Sequence, residues 1–259
     1  MFAVERTRII KKYLLENKKA EVAVLSEILD VTEVTIRRDL EKLETEGFLK
    51  RMHGGAILNE IEESPYLIEP DPFDEDRQEI GQIASRLVDD NDVIMITQGL
   101  TSLQLARNLG DKKNLTVLTN DLLIALELTA HSAIKTILLG GDLEHQSRGV
   151  YGNYTINSIR YFFVNKTFFE VEGLNQNSGF TVSSIEKANL IQESLKIASE
   201  TICLCSADCF GKTAFYPVGA LTLAEKIVTN SGIDDEYKNL IFGQDIQLFT
   251  SLQVYEGHV

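Results

Sequence analysis

The pattern of apolar and polar positions predicts three short helices at the start of the chain. Over residues 6–16, 22–29 and 33–46, apolar side chains recur at intervals of three and four residues, which places them on one face of each helix. The positions concerned are Ile9, Ile10, Tyr13 and Leu14 in the first stretch, Leu25, Ile28 and Leu29 in the second, and Ile36, Leu40 and Leu43 in the third. The three helices are expected to share one small core.

The third helix exposes a polar and basic face. Thr32 is the predicted N-cap, because its side-chain oxygen can accept from a free amide of the first turn, and Glu33 favours the positive helix end. Thr35, Arg37 and Arg38 lie on or beside the face opposite the apolar stripe. Guanidinium groups form paired hydrogen bonds with guanine or phosphate, and hydroxyl groups suit phosphate oxygens. These are the residue types that a helix in the DNA major groove requires.

A hairpin is predicted directly after this helix. Gly47 is the expected helix cap, and residues 48–53, a turn at Gly54-Gly55 and residues 56–58 follow as strand, turn and returning strand. The side chains expected to lie against the DNA backbone are Lys50, Arg51 and His53.

These elements together predict a winged helix-turn-helix. Asp30 stands in the tight turn before the third helix, where a short polar side chain tolerates a left-handed backbone. Two helices, a tight turn, a third helix and a hairpin follow one another as in such domains. Paired arginines often do no more than solvate a helix face, but this context favours double-stranded DNA as the partner of Arg37 and Arg38. The predicted DNA-binding domain is residues 1–58.

From residue 77 onward, short apolar runs alternate with helical patterns. Strands are predicted over residues 93–96, 115–118, 134–139, 166–171, 201–205, 226–228 and 246–249, with a long helix over residues 183–199. Short buried strands that alternate with helices are typical of a mainly parallel α/β sheet. Residues 77–259 are therefore predicted to form a second domain, of the α/β class.

The loops after these strands are the candidate ligand site, because ligands bind at the carboxyl edge of a parallel sheet. Glycines and hydroxyl residues before a helix can present free amides to an anion, although such loops are more often plain turns. The candidate residues are Gly99, Thr101, Ser102, Thr119, Asn120, Gly140, Gly141, Glu172, Gly173 and Lys212. We expect these residues to bind a small-molecule effector.

Charge and proline content separate the two domains. Residues 59–76 contain three of the four prolines among many acidic residues, which predicts a semi-rigid linker. The net charge of −14 is uneven, since residues 1–58 carry 11 Lys and Arg against 10 Asp and Glu, and residues 59–259 carry 14 against 29. Attraction to phosphate acts over roughly 8–10 Å in physiological salt, so a locally basic helix can work beside an acidic body.

Two N-terminal motifs resemble the DeoR-type family of bacterial transcriptional regulators. They are residues 31–40, VTEVTIRRDL, preceded by Arg6 and Ile10, and residues 51–56, RMHGGA. The glycine-bearing loops of the second domain are also similar to those of the family. The resemblance implies a sensor domain that shares its fold with ribose-5-phosphate isomerase and senses a phosphorylated sugar. It also makes Asp39 the family's acidic residue after the arginine pair, for which we expect a structural role that orients an arginine.

The ligand loops depart from the family pattern at four charged positions. Residues 97–101, TQGLT, lack a carboxylate, Ile191 stands at a lysine position, and residues 206–211, SADCFG, replace an aspartate and a lysine. Each lost charge-assisted hydrogen bond is worth roughly 1.5–3 kcal/mol, so phosphosugar affinity should fall by orders of magnitude. Lys212 can replace one lysine in part. Two expectations stay open: a regulator relieved by a metabolite, and one whose pocket takes another ligand or none.

Other kinds of site are less well supported. One alternative is a sugar-phosphate isomerase with a DNA-binding arm. Such an enzyme needs a base and a cation at the pocket positions that are neutral in this chain. Glu172 is still a carboxylate in a pocket loop, but its simpler role is to cap a turn. The three cysteines, Cys203, Cys205 and Cys209, match no common zinc spacing, so buried reduced thiols are expected and no metal or cofactor. No apolar run approaches the roughly 18 residues of a membrane span, and no signal peptide is recognised. We therefore expect a cytoplasmic protein that is not an enzyme.

The sequence thus predicts a sequence-specific DNA-binding transcriptional regulator, a repressor of carbohydrate-metabolism genes that a small metabolite relieves. A homo-oligomer is expected, because one short recognition helix reads few base pairs.

Overall fold

The computed structural model of the chain describes residues 3–45, 49–52, 54–58 and 74–250. The chain divides into two compact units, Met1–Glu69 and Pro70–Val259. The predicted cap Gly47, the predicted DNA contact His53 and residues 59–73 of the predicted linker lie outside the described residues.

The N-terminal unit contains the three predicted helices and the predicted hairpin. Its elements are α1 (Ala3–Asn17), β1 (Lys19–Glu21), α2 (Val22–Leu29), α3 (Glu33–Thr45), β2 (Leu49–Met52) and β3 (Gly55–Leu58). The short strand β1 was not predicted. It pairs antiparallel with β3, so the sheet has the order β1-β3-β2 and the hairpin is attached to the body of the domain.

One apolar core holds this unit together. It is formed by Ile10, Leu14, Ala20, Val22, Leu25, Leu29, Ile36, Leu40, Leu43, Leu49 and Ala56. The predicted stripe of α3 is confirmed, since Ile36, Leu40 and Leu43 are all buried. The prediction for Ile28 was wrong, because this side chain is 51% exposed and Val22 takes the inward position on α2.

Three backbone positions explain the local geometry of this unit. Asp30 has φ 48° and ψ 50°, the predicted left-handed conformation, and caps α2 through its backbone amide. Gly54 has φ +84° in the hairpin turn. Gly55 already belongs to β3, and a Cβ there would lie 2.3 Å from the Ala20 carbonyl oxygen. Gly55 is therefore required by the close approach of β1 and not by the turn.

The C-terminal unit is built on a seven-stranded sheet. Its helices are α4 (Asp74–Ser85), α5 (Leu100–Arg107), α6 (Leu122–Leu128), α7 (Asn153–Ile159), α8 (Ile185–Leu195) and α9 (Asp235–Phe242). Its strands are β4 (Val93–Ile96), β5 (Leu115–Thr119), β6 (Ile134–Leu138), β7 (Asp142–Leu143), β8 (Val150–Tyr151), β9 (Val164–Glu170), β10 (Gly173–Asn175), β11 (Gly179–Val182), β12 (Ala198–Leu204), β13 (Tyr216–Gly219), β14 (Lys226–Val228) and β15 (Gln247–Phe249).

The main sheet has the order β15-β14-β12-β9-β4-β5-β6, and all six pairings are parallel. The predicted α/β class is confirmed. A three-stranded antiparallel sheet, β10-β11-β13, and the pair β7-β8 were not predicted. Helix α8 is shorter than predicted because β12 already begins at Ala198, and α4 includes residues 74–76 of the predicted linker.

The strands of the main sheet are short and apolar because the sheet is buried. Ile94, Met95 and Ile96 on β4, and Phe168 and Phe169 on β9, are fully buried. This central pair of strands fixes the loops that follow it, residues 97–99 and 171–172. Within the part of the chain that the structure describes, no helix combines the length and the apolar composition that crossing a bilayer requires.

Candidate functional site

Helix α3 turns its polar face outward as predicted. Thr32 precedes the helix, and its side-chain oxygen accepts a hydrogen bond from the Thr35 amide at 3.4 Å. The side chains of Arg37 and Arg38 are exposed, and Thr35 is partly exposed. Because the opposite face is buried in the core, these three side chains are held at fixed positions on a rigid element. This is the arrangement that sequence-specific contact with base edges requires.

Arg37 has an intrahelical partner. Its Nη2 atom donates to Glu33 Oε2 at 2.7 Å across one helical turn, and both side chains are about half exposed. An exposed pair of this kind contributes only a few tenths of a kcal/mol. It orders the guanidinium group but can readily be exchanged for a phosphate or a guanine.

The hairpin supplies two further basic side chains. Lys50 and Arg51 lie on β2 and are exposed, while Leu49 at the start of the strand is buried in the core. The Arg51 amide donates to Glu44 Oε1 at 2.9 Å, which ties the hairpin to the end of α3. The hairpin and α3 are thus one rigid unit with basic groups on both.

Asp39 pairs with an arginine, but with Arg6 of α1 and not with an arginine of its own helix. Arg6 Nε donates to Asp39 Oδ2 at 2.7 Å, and Arg6 Nη2 donates to Asp39 Oδ1 at 3.2 Å. Both side chains are nearly buried. This fork-like pair joins α1 to α3, which explains why the N-terminal motif includes Arg6.

Replacing Asp39 by asparagine should destabilise the N-terminal unit. The variant leaves the nearly buried Arg6 guanidinium without its carboxylate, and breaking such a pair is costly. We expect the unfolding midpoint of this unit to fall by about 5–10 °C in thermal unfolding. Glu41→Gln, on the exposed side of the same helix, is the matched control and should change it little. Equal midpoints for the two variants would contradict a structural role for Asp39.

At the carboxyl edge of the main sheet, the structure brings the loops after β4 and β5 together. The Gln98 amide donates to Asn120 Oδ1 at 2.9 Å, and the Gly99 amide donates to Asp121 Oδ2 at 3.3 Å. The Thr119 hydroxyl oxygen accepts from the Asp121 amide. Three of the predicted candidates, Gly99, Thr119 and Asn120, are therefore parts of one hydrogen-bonded cluster.

Glu170, which was not predicted, lies at the centre of this cluster. Its Oε2 atom accepts from the amides of Thr101 and Ser102 at 2.9 and 3.0 Å. These amides form the first turn of α5, whose N-cap residue, Gly99, supplies no side-chain hydrogen bond. Burial raises the pKa of Glu170, against the opposing effects of the Ser102 amide and the positive charge of Arg77. The carboxyl group of Glu170 thus caps α5 from a neighbouring strand.

Asp121 is a second buried carboxyl group in the cluster. It caps α6 by accepting from the amides of Leu123 and Ile124 at 2.7 and 3.2 Å. Burial raises the pKa of Asp121 to about 6, although the amides of α6 and Gly99 oppose the shift. The ionised form is therefore less favourable in the folded chain than in the unfolded chain, where the pKa is the ordinary one.

The raised pKa of Asp121 predicts a pH dependence of stability. The contribution of this group is fully present below about pH 4 and is lost as the pH rises through about 6. Relative to Asp121→Asn, the wild-type free energy of unfolding should fall by on the order of 2–3 kcal/mol between pH 4 and pH 7. Urea unfolding of both proteins across this range measures the difference. A constant difference would show that the pKa of Asp121 is not shifted.

The remaining candidate residues lie in two other places. Glu172 Oε1 accepts from Ser183 and from Lys187 Nζ, at 2.9 and 2.6 Å. Lys212 forms an exposed ion pair with Asp208 at 2.9 Å. Gly173 lies against the backbone of Lys212.

The glycines after β6 contact α7 and β8. The Gly140 carbonyl accepts from the Thr155 hydroxyl at 2.8 Å. A Cβ at Gly141, where φ is +152°, would lie 2.1 Å from the same hydroxyl oxygen. The Tyr151 hydroxyl in turn donates to Gln98 Oε1 at 3.0 Å, which links this region to the cluster around Gly99.

Ile191 belongs to the apolar core, and Cys209, which was predicted to be buried, is only partly buried against that core. Ile191, at the family's lysine position, is 3% exposed and packs with Phe169 and Cys203. Burial raises the pKa of the Cys209 thiol to about 12. The three cysteines are free thiols, and among the residues that the structure describes no group of three or more His, Cys, Asp or Glu could hold a metal ion.

The residues of this cluster that were not among the predicted candidates are Glu170, Gln98, Asp121 and Tyr151. The signal for Glu170 was present, since it is the one charged residue at the carboxyl end of an apolar strand, residues 167–170, TFFE. A carboxylate placed there points to the edge where the ligand loops meet. No comparable local signal marks Gln98 or Tyr151, whose contact depends on a pairing 53 residues apart in the chain.

Comparison with known proteins identifies both units. Residues 6–62 match the family model of the DeoR-like helix-turn-helix domain, and residues 73–231 match that of the DeoR C terminal sensor domain. Among relatives, the uncharacterized HTH-type transcriptional regulator YulB of Bacillus subtilis is 31% identical over 90% of this chain and 91% of that protein. The HTH-type transcriptional repressor GlcR of the same organism is 27% identical over 98% of each chain.

Among solved structures, ribose 5-phosphate isomerase A from Methanocaldococcus jannaschii aligns with 53% of this chain and 55% of that chain. The identity is 12% and the TM-score is 0.39, so this likeness is distant and carries no argument about activity. The two family matches cover both units and most of the described chain. The chain therefore belongs to the DeoR family and is a DNA-binding transcriptional regulator.

Proposed function

We propose that this regulator is a repressor that binds operator DNA as a homodimer, with α3 in the major groove and the β2-β3 hairpin along the backbone. The observation that carries the proposal is the outward face of α3. Its basic and hydroxyl side chains are exposed on a helix whose other face is buried in the core. A rigid helix of this kind is what base reading in the major groove requires.

The proposed contacts fall into two groups. Thr35, Arg37 and Arg38 would reach base edges and the nearest phosphates, because they lie in the first two turns of α3. The contacts proposed for phosphates are Thr32 at the helix N-terminus, Lys50 and Arg51 on β2, and His53, which follows β2 in the sequence. Phosphate contacts fix the position of the domain, whereas base contacts select the sequence.

A dimer is proposed because one helix of this length reads only a few base pairs. Two copies would read half-sites about one helical turn apart, roughly 34–36 Å. The C-terminal unit is the proposed site of both assembly and effector binding. A regulator of this kind acts where the chromosome is, which in a bacterium is the cytoplasm.

A small polar metabolite is the proposed effector, and the proposed regulon concerns carbohydrate metabolism. The match to the DeoR sensor domain supports an effector, and the polar strand-end cluster supports the carboxyl edge of the sheet as its place. The neutral residues at charged family positions favour a ligand other than a phosphorylated sugar. The family consists of transcriptional regulators, and an enzymatic activity is not proposed.

The proposal is tested first with DNA. Full-length protein is used to select binding duplexes from a random library, and the affinity for the selected site is measured by fluorescence anisotropy at two salt concentrations. We expect a two-fold symmetric site bound at least about 1,000-fold more tightly than random DNA. Placed between promoter and reporter, the site should lower expression when the protein is present. Binding without sequence preference, or activation of the reporter, would contradict the proposal.

The effector is tested separately. A library of sugars, polyols and sugar phosphates is screened by thermal shift, and each stabilising compound is then added to the protein-operator complex. An effector should both raise the unfolding midpoint and release the DNA. If no compound does either, the alternative that the domain serves only for assembly is favoured.

A further inference from the structure

The N-terminus of α5 is filled by groups of the chain itself. A helix N-terminus attracts anions through its free amides and its positive end. Here the amides of Thr101 and Ser102 donate to Glu170 Oε2, and the Gly99 amide donates to Asp121 Oδ2. These three amides at the helix end are therefore already occupied by carboxyl groups.

The loop is shaped around the Glu170 carboxyl group. A Cβ at position 99 would lie 2.1 Å from Glu170 Oε2, so only glycine leaves room for this oxygen. The Ser102 hydroxyl, on the same first turn, is fully buried and has no hydrogen-bond partner among the residues that the structure describes. A carboxyl group has fewer acceptor oxygens than a phosphate, and one donor at this helix end remains unsatisfied.

A phosphate could not join this arrangement. It would have to share the helix end with Glu170 and Asp121, and like charges at such distances repel one another. Protonation of Glu170 would remove the charge but not the atoms, since the carboxyl group would still fill the space above the two amides. The position is closed to an external anion in either state.

We infer that Glu170 is a specificity-determining residue, whose carboxyl group takes the anion position at the N-terminus of α5 and restricts the cleft to ligands that place an uncharged polar group beside it. Besides Asp121 and the positive charge of Arg77, the cluster contains uncharged polar side chains. The Tyr151 hydroxyl donates to Gln98 Oε1, and the backbone amide of Gln98 donates to Asn120 Oδ1. Such groups suit hydroxyl-bearing ligands. The inference rests on the proposed function only in taking these loops as the effector cleft.

The test is phosphate binding by the full-length chain without DNA. Thermal shift is measured against inorganic phosphate, with the ionic strength kept constant by sodium chloride. Wild type should show no saturable stabilisation, whereas Glu170→Ala frees both amides and should show saturable stabilisation at phosphate concentrations at least about tenfold below any that stabilise wild type. Glu170→Gln keeps the shape and an acceptor oxygen, so it should remain unresponsive. Glu186→Ala, which removes an exposed carboxylate from α8, controls for net charge.

Each other outcome counts against the inference. Saturable phosphate binding by wild type with the affinity of Glu170→Ala would overturn it, as would a folded Glu170→Ala protein that does not respond. If Glu170→Ala does not fold alone, recovery of its folding by phosphate supports the inference. If phosphate does not restore the folding of Glu170→Ala, and Glu170→Ser does not respond to phosphate either, the inference is overturned. Glu170 would then be only a structural cap.

Operator binding by the same proteins separates this inference from the proposed function. Without phosphate, the charge control Glu186→Ala should bind operator DNA within about twofold of wild type, because the N-terminal unit is unchanged. Failure of wild type to select any operator would contradict the proposed function, yet the phosphate measurements would still decide the role of Glu170.

Discussion

Replacing Arg37 and Arg38 together by alanine is expected to weaken binding to the selected operator by at least about 100-fold, since each paired contact with a base is worth roughly 1–3 kcal/mol. A dimer loses each contact twice. Both side chains are exposed, and the ion pair of Arg37 with Glu33 lies on the surface, so the variant should fold as wild type does. The loss would therefore report on recognition and not on stability.

Fluorescence anisotropy with specific and random duplexes measures this prediction. The ratio of the two affinities should fall towards one, because base contacts carry the selectivity. Lys42→Ala is the matched control: Lys42 is an exposed basic residue in the last turn of the same helix, and its loss should weaken both duplexes slightly and equally. Unchanged strength and selectivity in the double variant would refute the proposed position of α3.

Elements with a clear local period were predictable from the sequence. The structure places α2, β4 and β14 at the predicted residues, and α3 begins at the predicted Glu33. In each of these, the local pattern of apolar positions marks the element. The left-handed conformation of Asp30 was also predictable, because few residue types can adopt this conformation in the tight turn between two helices.

Features that depend on distant pairing were not predictable. Strand β1 has only three residues and exists because β3, more than 30 residues later, pairs with it. The ion pair of Arg6 with Asp39 likewise joins residues 33 apart. In the ligand cleft, the sequence indicated the loops but not their occupant, since the contact of Glu170 with Thr101 and Ser102 spans 68 to 69 residues. Local spacing carries no information on such contacts.

The error at Ile28 has a geometric cause. Consecutive helix residues are about 100° apart, so Val22, Leu25 and Leu29 lie within about 60° of one another. Ile28 is about 100° from Leu29 and falls outside this face, which explains why it is 51% exposed while Leu29 is 3% exposed. Two adjacent aliphatic residues of the same size therefore differ almost completely in burial.

Leu29 and Ile28 allow a matched test of how α2 packs in the core. Leu29→Ala should lower the free energy of unfolding of the N-terminal unit by about 2–5 kcal/mol, because it leaves a cavity in a small core. Domains of this size are stable by only a few kcal/mol, so much of the unit should be unfolded and operator binding largely lost. The C-terminal unit has its own core and should be unaffected.

Ile28→Ala is the matched control, because it removes nearly the same atoms from the next position and should cost less than about 1 kcal/mol. Hydrogen exchange resolved by peptide suits the measurement, since it reports on the two units separately and the chain contains no Trp for fluorescence. Exchange should accelerate across α1, α2 and α3 in Leu29→Ala and stay at the wild-type rate in Ile28→Ala. Equal acceleration in both variants would mean that Ile28 is buried after all, in which case the packing of α2 against α3, and with it the placement of the arginine face, would have to be revised.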